Sequence, residues 1–326
     1  MIISRTPLRV SFVGGGSDLP AFYREYGGAV VSTAIDKFIY ITLNRKFDSA
    51  IRVAYSKNEE VGSVEQIEHP LVRAAMKFVG LSGGVEITTI ADVPSHGTGL
   101  GSSSSFTVGL LHVLNAYLGR YVSADKLGMD SCTVEIDICG EPIGKQDQYA
   151  AAFGGFNYIA FHPNGSVVVS PVICRKETLD AVAQSCLFFY TGVTRSASAI
   201  LRSQNAEVRT DRQKQRTLQR MVHLAAMLRD ELNRNNVDAF GEILHENWEL
   251  KKSLTDGITT REIDAWYDAA RRAGATGGKV LGAGTGGFLL LFAPPEKHER
   301  LKQALPNLRA VDMAFEPTGS QIIFYR

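Results

Sequence analysis

The chain has 326 residues, of which 44% are hydrophobic and 21% charged, and its 35 Lys and Arg against 34 Asp and Glu leave a formal net charge of +1. At roughly 150 residues per domain that length predicts two domains, and the apolar share fills a sizeable core, which excludes a small disulfide-stapled scaffold. The even charge balance excludes a dedicated nucleic-acid binder, which carries a basic excess, and an acidic disordered chain. Cys132, Cys139, Cys174 and Cys186 make no CxxC pair and no Cys/His zinc spacing, so they read as reduced thiols of a cytoplasmic protein. No apolar run reaches the roughly 18 residues of a membrane span, and MIISRTPLRVSFVGGG lacks the pattern of a secretory signal.

In chain order, Leu8–Val13, Ala29–Ile35, Phe38–Leu43 and Ile51–Tyr55 read as strands, punctuated at Gly14–Gly16 and Gly27–Gly28. Val85–Ile90 is the next strand and runs into the glycine- and serine-rich loop Pro94–Ser105. Helices are expected over Phe106–Leu118 and Ala124–Cys139, the second with Ser123 as N-cap, and a third from near Gly144 to Gly154–Gly155. Asn157–Phe161 and Ser166–Val169 form a hairpin around Pro163-Asn164-Gly165. After the strand Cys186–Tyr190 the pattern is helical from about 196 to 273, with Leu218, Val222, Ala225, Leu228 and Leu232 at helical spacing. Strands Phe288–Phe292, Ala310–Phe315 and Gln321–Tyr325 follow, with a helix near Glu296–Leu305. This order fits two α+β domains, 1–180 and 181–326, better than a regular βαβ series.

Glycine-rich turns matter because a missing Cβ lets backbone amides approach a phosphate, and amides at a helix start carry positive partial charge. Pro94–Ser105 lies between a strand and a helix, with three alternating glycines and then four serines. It suits a polyphosphate and a metal ion, or else is a flexible turn with a serine N-cap. It is not a Walker A loop, since no GK[ST] occurs. Gly282–Gly287 satisfies GxGxxG but leads into the strand Phe288–Phe292 instead of a helix, and Gly14–Gly16 lacks the third glycine, so a dinucleotide fold is disfavoured. No histidine makes an HExxH or triad pattern, and His96 in the loop is uninformative. The basic run from 201 to 220 reads as a solvated helix face.

Pro94–Ser105 resembles the central motif of the GHMP kinases, the superfamily of galactokinase, homoserine kinase and mevalonate kinase. Pro7–Asp18 is similar to their N-terminal substrate motif and Lys279–Phe288 to their C-terminal glycine motif. Within the superfamily, Gly144–Ala150, Gly154–Asn157, Tyr190–Ala197 and Trp248–Ser253 resemble the bacterial D-glycero-D-manno-heptose 7-phosphate kinases. The resemblance implies an α+β fold with an N-terminal domain like ribosomal protein S5 domain 2 and a ferredoxin-like C-terminal domain. It also implies ATP and Mg²⁺ as cofactors and a sugar or sugar phosphate as the small-molecule partner.

By that resemblance Gly97, Thr98, Gly99, Leu100, Gly101, Ser102, Ser103 and Ser104 hold the nucleotide, and Ser103 and Glu135 meet Mg²⁺. Taken alone, Glu135 also fits a solvated helix face. Asp147 is the expected catalytic base and Arg9 its partner. Asp18, Gly15, Gly16, Gly284 and Arg195 are expected at the substrate, with Arg195 and the pair Lys251-Lys252 as cations for an acceptor phosphate. Gly15 and Gly16 stand where galactokinases carry Glu-His, which disfavours galactose. The rival readings are a kinase for an unphosphorylated sugar such as fucose and a catalytically silent sugar sensor.

Overall fold

The structure, a computed structural model, describes residues 1–94, 97–193, 197–284 and 286–326. Strand β1 (Ile2–Val13) and strand β2 (Gly28–Arg45) lie antiparallel, with the short helix α1 (Pro20–Tyr26) between them in sequence. The strands expected at Ala29–Ile35 and Phe38–Leu43 are one strand of 18 residues, in which Asp36 and Lys37 fall at a register shift against β1. It is long because two neighbours share one of its edges. Ile39–Arg45 pair with β5 (Val85–Ala91) and Gly28–Thr33 with β6 (Phe156–Phe161). Strands β3 (Ile51–Ala54) and β4 (Asn58–Val61) extend the sheet, β3 lying parallel to β5, and β7 (Val167–Pro171) closes the hairpin with β6.

Helix α2 (Pro70–Val79) precedes β5, and α3 (Ser102–Tyr117) packs on β1 and β2. Sequence periodicity did not reveal α1 and α2, which are short and open on Pro20 and Pro70, where a missing N–H is harmless. Helix α4 (Ala124–Cys132) starts on Ser123, whose hydroxyl accepts from Lys126 N at 3.3 Å. The expected helix to Cys139 instead becomes a π-helical turn at Thr133–Ile138, and α5 (Gln146–Phe153) follows.

The remainder forms α6 (Lys176–Ser185), β8 (Cys186–Tyr190), α7 (Ala197–Thr210), α8 (Arg212–Asn233), α9 (Asp238–Lys252), α10 (Arg261–Ala273), β9 (Gly277–Val280), β10 (Phe288–Phe292), α11 (His298–Ala304), β11 (Arg309–Val311) and β12 (Gln321–Tyr325). The second sheet runs β11-β8-β10-β9, all antiparallel, so its strands stand in the order fourth, first, third, second that marks a ferredoxin-like domain. All five residues of β10 are buried, which is why it reads as a continuous apolar run without alternation.

The division at 180 is crossed at the chain's far end. Strand β12 leaves the second sheet and pairs antiparallel with β1, Ile2 facing Tyr325. The core crosses it too: Phe12 of β1 meets Phe240 of α9 edge-on at 5.2 Å, and Phe240 stacks on Phe292 of β10 at 4.5 Å. Burying each such ring is worth about 2–3 kcal/mol, so the halves share one apolar seam and the cleft beside it has firm walls. Among the described residues, no helix is long and apolar enough to cross a membrane.

Candidate active site

A cleft of about 830 Å³ opens between the two halves, with Arg9, Gly15, Gly99, Asp147, Lys251 and Gly284 in its wall. Two glycine motifs far apart in sequence touch here. A Cβ on Gly99 would sit 2.3 Å from Leu281 O, and one on Gly282 only 2.5 Å from Gly99 Cα, so backbone lies against backbone. Gly101 caps α3, and Ser102, Ser103, Ser104 and Ser105 form its first turn, where helix amides lack intrahelical acceptors. The turn is tied to β1: Ser105 Oγ donates to Pro7 O at 2.8 Å, and Arg9 N donates to Leu100 O at 3.0 Å. Thr98 and Ser102 hydroxyls share a 3.3 Å hydrogen bond, and Gly97, like Gly99, lies in the cleft wall.

Asp147 is the second residue of α5 and meets Arg9 through a two-pronged bridge. Arg9 Nε donates to Oδ1 at 2.7 Å and Nη2 to Oδ2 at 2.5 Å, while Nη1 donates to Gly99 O at 2.6 Å. Arg9 is therefore buried between the carboxylate and the serine loop, and Asp147 keeps an open side toward the cleft.

Glu135 is fully buried, and its hydrogen-bond partners among the described residues are neutral: Ser103 Oγ at 3.0 Å, Ser104 Oγ at 2.8 Å and Gln148 Nε2 at 2.6 Å. Burial pushes its carboxyl up to about 7, against the lowering effect of those three donors, and the charge of Asp147 adds to the rise. The π-helical turn is where this side chain leaves the helix. Hard oxygens around a carboxylate with no counter-charge suit Mg²⁺, which commonly takes one or two protein groups and completes its shell with phosphates and water. Among the described residues, no cluster of three His, Cys, Asp or Glu groups offers a protein-only cage.

At the turn after β1, Asp18 Oδ1 accepts from Gly16 N at 2.9 Å and Oδ2 from Gln146 N at 3.3 Å. Burial, and secondly the charge of Asp147, raises its pKa. Gly15, Gly16 and Gly284 line the same cleft. Thr194, Arg195 and Ser196 lie outside the described residues, as does His96.

The sequence reading expected Lys251 and Lys252 to act as a pair, and it did not foresee the places of Lys279, Tyr55 and His69. Lys251 is buried, with its ammonium donating to Gly282 O at 3.1 Å, and burial lowers its pKa to about 8. Lys252 parts from it, pairing with Glu249 at 2.8 Å and lying over the Tyr267 ring, so the two lysines do not act as one anion clamp. Lys279, also buried, donates to Ser11 O and Phe12 O at 2.7 and 3.1 Å and so ties β9 to the end of β1. At the far end of the cleft Tyr55 meets His69 edge-on at 4.7 Å, and His69 leans on Phe106 at 5.1 Å. In the basic run, Lys214 pairs with Glu207 and Arg220 with Glu246.

These motifs agree with what known proteins show. The GHMP kinases N terminal domain matches residues 69–155 and the GHMP kinases C terminal domain residues 228–310. The chain is 30% identical over 320 residues to a D-glycero-alpha-D-manno-heptose 7-phosphate kinase of Campylobacter jejuni, covering 93% of each chain. It is 26% identical over 332 residues to a bifunctional fucokinase/GDP-fucose pyrophosphorylase of Arabidopsis thaliana, covering 94% of this chain and 31% of that one. A crystal structure of a D-glycero-D-manno-heptose 1-phosphate kinase from Bacteroides thetaiotaomicron superposes with a TM-score of 0.82 at 27% identity over 100% of both chains. The chain belongs to the GHMP kinases, and with it to their ATP-dependent sugar and related phosphotransferases.

Proposed function

We propose that the chain transfers the γ-phosphate of ATP to a hydroxyl of a heptose phosphate, D-glycero-D-manno-heptose 7-phosphate giving the 1,7-bisphosphate. The observation that carries the acceptor is the similarity to the Campylobacter jejuni heptose 7-phosphate kinase, which runs the length of both chains. Phosphoryl transfer asks a protein for positioning and charge neutralisation more than covalent work. Backbone amides of Gly97–Gly101 and the Ser102–Ser104 turn hold the nucleotide phosphates. Ser103 and Glu135 would hold Mg²⁺, which when bound neutralises charge on the β- and γ-phosphate oxygens.

Asp147 orients the acceptor hydroxyl and takes its proton as that oxygen bonds to the γ-phosphorus and ADP departs. The Arg9 fork occupies one lone pair on each carboxylate oxygen and leaves the others for the substrate. Arg9 holds the Asp147 carboxylate in place, and its contact with Gly99 O couples the base to the phosphate loop. Asp18, which pairs with no cation among the described residues, anchors the turn proposed to face the sugar.

A coupled ADP-release screen with heptose 7-phosphate, its dephosphorylated form, fucose and galactose tests the reading. We expect the highest kcat/KM on the heptose phosphate, with a second phosphorus resonance in the product. A higher kcat/KM on fucose would replace it with the neutral-sugar kinase, which the similarity to the Arabidopsis fucokinase favours.

A further inference from the structure

The Gly144–Ala150 motif, which carries Asp147, contains a residue that the roles above leave unused. Lys145 stands between Gly144 and Gln146, both of which line the catalytic cleft, yet its own side chain lines a second cavity of about 500 Å³. That cavity is bordered by α1, α4, α5 and the turn between β6 and β7. There the ammonium donates to Gly165 O at 2.8 Å and lies 5.2 Å from the centre of the Tyr23 ring. Both partners are held firmly. Gly165 N donates to His162 O and His162 N to Ser166 O, each at 2.9 Å, which closes the turn, and Tyr23 is buried beside the Phe161 ring. The backbone is tied on the opposite side: Lys145 N donates to Asp18 O at 3.4 Å, and Gln146 N to Asp18 Oδ2 at 3.3 Å. The start of α5 is thus held from the front by the turn after β1 and from behind by the hairpin.

We propose that Lys145 is a positioning residue: it latches the first turn of α5 to the β6–β7 turn and so sets where the Asp147 carboxylate stands in the cleft. The proposal deepens the reading of Asp147 as the base and rests on it. Helix α5 needs such a tie, because it has eight residues and no side chain caps its N-terminus. A helix that short has little stability of its own. Asp147 is its second residue, so a tilt of the first turn carries the carboxylate with it. Arg9 fixes the rotation of that carboxylate through two hydrogen bonds, and Lys145 fixes the place of the helix that bears it. Displacing a reacting group by about 1 Å can lower a rate about 10²-fold. The fold depends on the latch much less. Lys145 is half-buried and faces a cavity with Arg24, Asp125 and Ser166 in its wall, where water can take over the hydrogen bond to the ammonium.

The test is a double-mutant cycle with Asp147. Lys145→Met keeps the aliphatic stem and removes the donor, while Lys145→Arg keeps a donor. Using whichever sugar the wild type phosphorylates best, we expect Lys145→Met to lower kcat about tenfold, with the KM for ATP within about twofold of wild type. Its melting temperature should stay within about 2 °C, and Lys145→Arg should recover part of the lost kcat. In an Asp147→Asn background, adding Lys145→Met should change kcat by less than about twofold, because no base is left to misplace. A kcat for Lys145→Met within about twofold of wild type, or a loss that persists undiminished in the Asp147→Asn background, would overturn the latch and leave the kinase reading standing. A fall in kcat that follows a lowered melting temperature and is not recovered by arginine would make Lys145 a structural tie and overturn it equally. Wild-type protein that phosphorylates no sugar would overturn both.

Discussion

Asp147 and Glu135 flank the same serine loop, and the chain treats them in opposite ways. Asp147 is supplied with a resident cation: Arg9 reaches both of its oxygens from β1. Glu135 lies deeper and receives only two hydroxyls and an amide. Burial raises the pKa of a carboxylate unless a positive charge offsets it, and Glu135 is accordingly shifted to about 7. The pairing of Asp147 with a guanidinium fixes the orientation of its carboxylate at the edge of the cleft. The bare pocket around Glu135 makes it a group whose charge is completed from outside. The contrast matches the roles proposed for them, one carboxylate toward the acceptor and the other toward a cation that arrives with the nucleotide.

The largest expected effect breaks the first half of that contrast. Asp147→Asn removes the proton acceptor while keeping shape, and we expect kcat to fall about 10²–10⁴-fold. Nucleotide affinity, measured by titration calorimetry, should change little, because Asp147 is placed on the acceptor side. Turnover within threefold of wild type would dismiss Asp147 as the base. Arg9→Met should be worse for folding, since it strands a partly buried carboxylate beside Gly101 and deprives Gly99 O of its donor.

Glu135→Gln probes the other half through stability. The folded carboxyl titrates near 7 and the unfolded one near 4.5. Between those values the folded chain holds a proton that the unfolded chain has released, so stability falls as pH rises through the window. By pH 8 the burial of this charge costs up to about 3 kcal/mol. Glutamine carries no charge, so in protein free of metal and nucleotide the variant should gain on the wild type between pH 5 and pH 8 in urea melts. An equal stability gap at both pH values would mean that Glu135 does not titrate there. With Mg²⁺ and a non-hydrolysable ATP analogue the order should reverse, the wild type gaining more in melting temperature than the variant.

How much of this was readable in the sequence differs along the chain. The serine loop, Arg9 and Asp147 stand in compact motifs, and the structure brings those motifs together at one cleft. The local signals that failed were those decided by distant partners. Nothing local tells that β2 continues through Asp36 and Lys37, because it is β1 pairing on both sides of them, with β5 and β6 on the other edge, that makes one strand across the register shift. Likewise Lys251-Lys252 reads as one pair of cations for an acceptor phosphate, yet one helical step of about 100° turns Lys251 into the cleft and Lys252 onto Tyr267. The return of β12 to β1 spans the whole chain, and composition carries no trace of it. The helix expected to run through Cys139 contained its clue in an acid, Glu135, on a face that the π-helical turn rotates inward.

The smallest expected effect sharpens the comparison by holding geometry fixed. Arg220 and Glu246 join α8 to α9 with the same two-pronged form as Arg9 and Asp147, Nε to Oε1 at 2.6 Å and Nη2 to Oε2 at 3.0 Å. Their side chains are 42% and 43% exposed, against 5% and 23% for the pair in the cleft. Water screens the outer pair and solvates either partner when the other is removed, so Arg220→Ala should cost about 0.2–1 kcal/mol and leave kcat and both KM values unaltered. Raising salt to about 1 M, where the Debye length is about 3 Å, should erase most of that difference in a urea melt. The inner pair should keep its contribution, because Arg9 is shut away from the counter-ions. A loss at Arg220 as large as the one at Arg9 would show that the two-pronged form itself holds the fold, and burial would no longer explain why the Arg9–Asp147 pair belongs to the chemistry.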